Sequence, residues 1–319
     1  MMALLKIRST GVIALLVAVG ACSVTDYQEP ITKFATASKN AETALNALNT
    51  EVTNSYTALL QEQAVAGEGL VEEQAGDCLA DSEHCRLDLL SRDGSTQPLT
   101  PSPALANMAI LMQSITIYAN NLVALVSADT AAAVTTNVNA TLGSIESLAE
   151  TVAKAGGDKQ PVNLAAYSTP VGEAVSWLVG QYVARVKLDG LRRATTEAQP
   201  VIAEATRVFE IASERAAVVP RATLAQDVRQ RLNAFDASRS QANLEQLIQS
   251  ADQLNQLLEA KPSDVFAEMN TAHEALTNEL QGKDVTLAQA IARIEIFAAE
   301  AERLVKIARS FTAAAHAEG

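Results

Sequence analysis

The chain is poor in aromatic residues, glycine and proline. Of its 319 residues, 4% are aromatic, 14 are glycine and 9 are proline, whereas 48% are hydrophobic. Sheets are rich in aromatic and β-branched residues, while alanine, leucine, glutamate and glutamine favour helices. The composition therefore disfavours a sheet protein and predicts an all-α fold, in which small alanine side chains allow close contacts between helices.

Positive charge is also scarce. The chain has 24 lysines and arginines against 37 aspartates and glutamates, which gives a formal net charge of -13. An acidic surface repels the phosphates of nucleic acids and the headgroups of anionic lipids. We therefore expect no nucleic-acid partner and no direct adhesion to anionic lipid.

Side chains suited to catalysis or metal binding are few. The three histidines are His84, His273 and His316. His273 and Glu274 begin like a zinc-protease motif, but the second histidine one turn later is missing, so two imidazoles cannot share a face. No serine lies in a Gly-x-Ser-x-Gly or Ser-x-x-Lys setting. We predict no enzyme activity, no cofactor and no metal site. A solvated helix face is expected for His273 and the acidic residues around it: Glu268, Glu274 and Glu279.

The first residues resemble a bacterial lipoprotein signal. A positively charged start precedes an uncharged apolar run, Gly11 to Val19, which is too short to span a bilayer as a stable helix. The junction that follows, Val19-Gly20-Ala21-Cys22, resembles the lipobox, where the cysteine of such signals receives a diacylglycerol before cleavage. The resemblance implies a cleaved signal peptide over residues 1–21, a mature chain that begins at acylated Cys22, and a short tether over residues 22–29.

The same resemblance sets the expected location. Ser23 follows the cysteine, where enterobacterial sorting would retain an aspartate in the inner membrane, so an outer-membrane anchor facing the periplasm is favoured. Loss of Lys6 and Arg8 with the signal would shift the formal net charge from -13 to -15. An ordinary secretory signal ending at Ala18-Val19-Gly20 remains the alternative, and it would leave Cys22 as a free thiol.

Residues 67–103 interrupt the helical pattern with glycines and prolines, and they hold the remaining cysteines, Cys78 and Cys85. In an oxidising periplasm these two thiols are expected to form a disulfide. A metal clip is the alternative, but the segment lacks the paired ligand spacing of structural zinc sites. We predict a long disulfide-containing loop, with at most a short helical piece over Leu87–Leu90, and we treat this loop as a candidate partner-facing surface.

Long heptad-like apolar stripes cover the rest of the chain and predict an elongated bundle over residues 30–316. The expected helices span about 30–66, 103–127 and 170–198, with a third one capped by Asp129 and ended by Gly156-Gly157. Pro200 could begin or kink the next helix, and Pro220 could kink one long helix or divide two. Further helices should end near Lys261-Pro262, run from Ser263 to Gln281-Gly282, and begin at Thr286. One continuous bundle is favoured over two parts that divide near residue 198.

Small residues recur every four positions in the predicted helix 170–198. They would leave a smooth helix-packing groove formed by Gly172, Ser176, Gly180 and Ala184. Glycine inside a helix costs about 1 kcal/mol relative to alanine, so it usually has a packing reason. The alternative, a membrane-inserting or self-associating element, is opposed by charged residues that interrupt the segment, among them Glu173, Arg185, Lys187 and Asp189.

Two functions of different classes remain. The first is a lipid-anchored helical scaffold or adaptor, held to the membrane through Cys22, that uses exposed heptad faces and the 67–103 loop to recruit an envelope protein, with homo-oligomerisation open. The second is a periplasmic binding protein for a hydrophobic ligand or lipid, with the groove widening into an apolar pocket. A continuous core would favour the scaffold, and a closed apolar cavity of several hundred cubic ångströms the carrier.

Overall fold

The structure is a computed structural model that describes residues 24–65, 69–73, 87–91, 96–98, 104–156, 179–259 and 262–317. It is an all-α multi-helix bundle, which confirms the fold class predicted from composition. After a short 3-10 turn, Val24–Tyr27, the described α-helices are α1 (Gln28–Val65), α2 (Ala104–Ser127), α3 (Ala131–Gly156), α4 (Val179–Ser238), α5 (Gln241–Glu259), α6 (Pro262–Leu280) and α7 (Leu287–Ala317).

A small sheet accompanies the helices, and it corrects the prediction for residues 67–103. Three short strands, β1 (Gly69–Glu73), β2 (Leu87–Ser91) and β3 (Thr96–Pro98), pair antiparallel in the order β1-β2-β3. The short helical piece expected over Leu87–Leu90 is therefore wrong, because these residues form β2. A short run that contains leucines is compatible with either a strand or a helix, and here pairing with the neighbouring strands determines that it is a strand.

Capping side chains explain where α7 and α3 begin. The Thr286 Oγ1 atom accepts a hydrogen bond from the backbone N–H of Gln289 at 3.3 Å, and the Gln289 side chain accepts one from the Thr286 N–H at 2.8 Å. This reciprocal capping satisfies two backbone donors and agrees with the predicted start at Thr286. In α3 the cap is Thr130, whose Oγ1 accepts from the Ala133 N–H at 3.2 Å, rather than the expected Asp129.

The longest element, α4, continues through both of its prolines. Its 60 residues extend about 90 Å at 1.5 Å per residue. Pro200 neither begins a helix nor divides one, because the turns on either side of it are fully buried at Ala198 and Val201. Proline inside a helix costs about 3 kcal/mol, and tertiary packing on both sides offsets that cost. Pro220 also lies inside α4. Because α4 continues to Ser238, the helix predicted over residues 170–198 does not end at residue 198.

The helices run in two directions around one core. Tyr27 at the start of α1 donates to Glu279 at the end of α6, and Lys33 lies 2.9 Å from Glu295 in the early part of α7. The helices α1 and α7 are therefore parallel and begin at the same end of the bundle. The short connections from α2 to α3 and from α6 to α7 make those pairs antiparallel.

A continuous apolar cluster joins α1, α2, α3, α4, α6 and α7. The closest helix contact in it occurs at Gly190 of α4. A Cβ atom added there would lie 2.7 Å from the Cγ2 atom of Val138 in α3. Only a residue without a side chain allows the two backbones this approach, so Gly190 sets the spacing of α3 and α4.

The second half of α4 and the whole of α5 extend beyond this cluster as an antiparallel hairpin. Among the side chains that the structure describes, none between 213 and 262 belongs to the core, which resumes at Val265. From Arg221 to Ser238 the helix covers about 26 Å. The turn is made by Arg239, with a φ of 47°, and Ser240, whose hydroxyl accepts from the Asn243 N–H. We call this projection, residues 221–258, the α4–α5 hairpin.

Candidate functional sites

A chain of buried polar side chains crosses the core, and it corrects the prediction for His273. This histidine is fully buried rather than solvated. Its Nδ1 atom lies 2.6 Å from Oε1 of Gln199, and its Nε2 atom lies 2.8 Å from the Tyr118 hydroxyl. The Gln199 side-chain nitrogen in turn donates to Oδ1 of Asn270 at 3.1 Å. The chain thus links α2, α4 and α6.

The hydrogen bonds assign a direction to this chain. An amide oxygen only accepts, so His273 donates from Nδ1 to Gln199 and accepts at Nε2 from the Tyr118 hydroxyl. Burial lowers the pKa of His273 to about 3, and burial raises the pKa of Tyr118 well above its usual value. Both groups are therefore neutral at pH 7. This arrangement satisfies buried polar atoms and holds three helices in one register.

The spacing of the apolar residues in α6 indicates that His273 lies on the buried side of the helix. The buried residues of this helix recur with alternating spacings of three and four, and His273 occupies one of those positions: Phe266, Met269, His273, Leu276 and Leu280. A neighbouring Phe34 ring, 5.9 Å from the imidazole, completes its apolar surroundings. Residue type suggested a solvated histidine, whereas its place in the stripe indicated the core.

Other predicted surface residues of α6 have mixed environments. Glu274 is exposed, as expected. Glu279 is half-buried and accepts a hydrogen bond from the Tyr27 hydroxyl at 2.8 Å. Glu268 is also half-buried. The acidic face predicted as fully solvated therefore includes one residue that ties the chain's first turn to the bundle.

A polar groove lies between α1 and α7. It has a volume of about 770 Å³. Lys33 stands in it between Glu295, at 2.9 Å, and Glu29, at 3.5 Å, and Glu295 raises the pKa of that lysine. Most of the lining is polar or charged: Thr25, Gln28, Glu29, Thr32, Lys33, Thr36, Asn40, Glu295 and Glu302, with three alanines. The groove is open and has an ion pair inside it, so it is not a closed apolar cavity of the kind expected for a carrier.

Three hydrogen bonds join the two helices of the α4–α5 hairpin. The Ser250 hydroxyl donates to Asp227 at 2.5 Å, and Arg231 donates to Gln246 at 3.0 Å. The Asn243 side chain donates to the Ala234 carbonyl at 3.0 Å. We call the residues that make these bonds the polar seam of the hairpin.

Four large apolar side chains of the hairpin are exposed, while five others are half-buried: Leu224, Val228, Phe235, Leu247 and Leu254. Leu232, Leu244, Ile248 and Leu258 are between 39% and 51% exposed, and Ser250 is the one buried residue among the described side chains of the hairpin. Leu232 and Leu244 each follow a seam residue directly. Because the helices are antiparallel, positions directly after seam residues lie on the same side of the pair. We call this side the hairpin face.

Apolar clusters that remain exposed on a soluble domain usually mark interaction sites. The hairpin face has the features of such a site, since its apolar residues come from two helices that a polar seam holds together. Sequence reasoning noted the alternating stripe of α5 but assigned it to a packed bundle. The heptad pattern reveals that an apolar stripe exists, but it does not reveal which partner covers it.

Several predicted site residues lie outside the described residues. These are the lipidation site Cys22, the disulfide pair Cys78 and Cys85, and the first two groove positions, Gly172 and Ser176. Gly180 lies in the first turn of α4. Ala184 is exposed, so it does not face a packed neighbour as the groove prediction required. The glycine that does permit close helix packing in α4 is Gly190.

The described residues also bear on membrane and metal chemistry. By length and composition alone, one described helix segment, Ala106–Ser127 in α2, could cross a membrane, and 56% of its most apolar window is buried in the bundle. Within the described ranges, no group of three or more histidines, cysteines or carboxylates could hold a metal ion.

Comparison with known proteins gives no relative from which a role could be transferred. No family model, no curated protein and no solved structure matches this chain.

Proposed function

We propose that this chain is a lipid-anchored scaffold or adaptor of the bacterial cell envelope, held at the membrane by Cys22. The observation that carries the proposal is the α4–α5 hairpin, which is about 26 Å long, lies outside the continuous apolar cluster and exposes four large apolar side chains. A rigid arm with an outward apolar face is suited to docking another protein at a distance from the body.

The 3-10 turn Val24–Tyr27 and the α4–α5 hairpin lie at opposite ends of the bundle; Val24 and Tyr27 belong to the core, so residues 24–29, expected as part of a short tether, are packed on the bundle instead. Residue 24, the first described residue after Cys22, is at the end where α6 finishes, because Tyr27 bonds to Glu279. The α4–α5 hairpin projects from the end where α6 begins, where Phe209 stacks on Phe266 with ring centroids 3.8 Å apart. An anchor at Cys22 would therefore direct the hairpin away from the membrane.

The alternative, carriage of a hydrophobic ligand, has less support. The groove between α1 and α7 is polar, and its central cation is bridged by glutamates. Most of the buried apolar residues that the structure describes belong to one continuous cluster. We therefore favour protein docking over ligand carriage.

The anchor is tested by substituting Cys22→Ser and fractionating cells. The wild-type chain is expected in the membrane fraction, and the variant in the soluble fraction. Retention of the variant at the membrane would contradict anchoring through Cys22.

Docking is tested with a photo-crosslinking amino acid placed at Ile248 in living cells. The matched control is Ile117 on α2, since the two isoleucines are 51% and 50% exposed. A discrete high-mass product is expected from position 248 and none from position 117. Equal labelling from both positions, or none from either, would contradict docking on the hairpin face.

A further inference from the structure

We propose that the partner of the hairpin face is a second copy of this chain, paired in parallel so that the two hairpins form a four-helix bundle. This inference rests on the proposed function, because it names the occupant of the same docking surface. Three properties of the hairpin face support it: its exposed apolar residues, its distribution of charge and the area that it can bury.

The two helices of the hairpin carry opposite charge. From residue 221 to residue 239 the α4 side has four arginines and two aspartates, whereas α5 has three acidic residues and no basic ones. Asp236 is already paired with Arg239 at 3.2 Å, and Asp227 with Arg231 at 3.3 Å. Arg221 and the exposed Arg229 therefore carry the net positive charge of the α4 side, and the exposed Glu245 and Asp252 contribute to the negative charge of α5.

A second copy supplies both charges that this surface requires. When two identical hairpins meet face to face about a twofold axis parallel to their helices, α4 of each copy lies over α5 of the other. Opposite charges then meet at both edges of the contact, while the apolar residues of the two faces meet between them. Such an isologous contact is the commonest way in which identical chains associate.

The register of the hairpin places these charges at matching heights. The pairs Asp227–Ser250 and Arg231–Gln246 put residue 229 level with residue 248. In the parallel pair Arg229 is thus level with Ile248 of the second copy, midway between its Glu245 and Asp252. An antiparallel pair would instead lay α4 over α4 and α5 over α5, which brings like charges together.

The orientation also agrees with the proposed anchor. In the parallel pair both bodies lie on the same side of the contact, so both chain starts face the same way. Two chains anchored in one membrane can therefore pair without either anchor leaving it. The antiparallel pair would direct the two anchors to opposite sides.

The area indicates a reversible association. The helix α5 has 19 residues and is about 28 Å long, and two helices side by side are about 20 Å wide. The face then covers roughly 560 Å² per copy and about 1,100 Å² in both, which is near the lower end for specific complexes. Confinement to one membrane raises the effective concentration and favours such a pair.

The test is sedimentation velocity on the full chain, solubilised in a density-matched detergent, over concentrations up to about 100 µM. We expect a concentration-dependent dimer. Ile248→Asp should raise the dissociation constant at least about tenfold, whereas Ile117→Asp, the equally exposed control, should leave it unchanged. Helical content, measured by circular dichroism, should be the same in all three proteins. A wild-type chain that stays monomeric, or an Ile248→Asp chain that still dimerises, would overturn the proposal.

Charge reversal tests the parallel arrangement itself. Arg229→Glu removes the net positive charge of the α4 side and places a carboxylate level with Ile248 of the second copy, between its Glu245 and Asp252, whereas Glu245→Lys with Asp252→Lys gives α5 a net positive charge like that of α4. Each variant alone should be monomeric because like charges meet at both edges, and an equimolar mixture should form heterodimers because every edge is then attractive. Homodimers from either variant, or a mixture that stays monomeric, would contradict the parallel pair.

The two proposals fail separately. If Cys22 carries no lipid, the fractionation result changes and the sedimentation results do not. If the hairpin face binds a different protein, the crosslink at Ile248 still forms, but mass spectrometry of the product shows a second polypeptide sequence and the purified chain remains monomeric. That outcome would overturn self-association while leaving the scaffold function standing.

Discussion

The buried His273 should make the stability of this protein depend on pH in a calculable way. Its pKa is about 3 in the folded chain and about 6.5 when the chain is unfolded. Between those values the unfolded state binds a proton that the folded state does not, so the free energy of unfolding falls as the pH falls below about 6.5. At pH 5 the loss is about 2 kcal/mol, since each pH unit is worth 1.36 kcal/mol.

The perturbation is His273→Gln, which removes the titrating ring. At pH 7.5 this variant should be less stable than the wild type by about 2 kcal/mol, because a flexible amide does not reproduce the positions of both ring nitrogens and leaves a buried partner, Tyr118 or Gln199, poorly bonded. Between pH 7.5 and pH 5 the gap should close by about 2 kcal/mol, since only the wild type pays the cost of keeping the imidazole neutral. Carboxylates elsewhere titrate equally in both proteins and cancel in the difference.

The assay is urea unfolding followed by circular dichroism at several pH values, in a Cys22→Ser background. Tyr118→Phe is the matched control, because it removes the same hydrogen bond but keeps the histidine. Its stability should fall with pH as steeply as that of the wild type. If the wild type and His273→Gln lose stability in parallel from pH 7.5 to pH 5, then His273 is not the buried neutral group described above.

Three further predictions concern packing and helix ends, each checked by chemical unfolding. Gly190→Ala should destabilise the protein by about 1–2 kcal/mol, because the new Cβ atom would lie 2.7 Å from a side chain of α3. Gly143→Ala, in open space on α3, should instead stabilise the protein by about 0.5–1 kcal/mol. A stability change of the same sign in both variants would contradict the close approach at Gly190. Thr286→Ala should lower stability by about 1 kcal/mol through loss of the α7 cap. Thr50→Ala, on the surface of α1, should change stability by less than about 0.5 kcal/mol. Equal losses of stability in the two variants would show that the Thr286 cap does not stabilise α7. Phe266→Ala should cost about 3–5 kcal/mol because its ring is fully buried and stacked on α4, and a cost below about 1 kcal/mol would place that ring outside the core.

Local sequence signals predicted the fold class and several helix ends. Alanine and leucine are abundant and aromatics scarce, so the helical class followed from composition. Thr286 was predicted as the start of α7 because a cap depends only on neighbouring residues. Prolines were less informative, since α4 continues through both Pro200 and Pro220, and at Pro200 the adjacent turns are held by burial of Ala198 and Val201.

The candidate sites were less predictable, because they depend on which elements meet. Periodicity identifies an apolar stripe, but whether that stripe lies inside or outside depends on the elements around it. His273 lies inside because Tyr118 and Gln199, distant in sequence, satisfy both of its nitrogens. The hairpin face lies outside because its own seam is polar and no core helix covers Leu244 or Ile248.

The sequence by itself therefore determined that this chain is helical, acidic and begins with a signal that resembles that of a lipoprotein. The tertiary structure alone decided that a histidine is buried in the core, that α4 continues through two prolines, and that the apolar side of the α4–α5 hairpin is left exposed. Local propensities act between residues a few positions apart. Burial is set by long-range contacts between helices, and those contacts exist only once the bundle has formed.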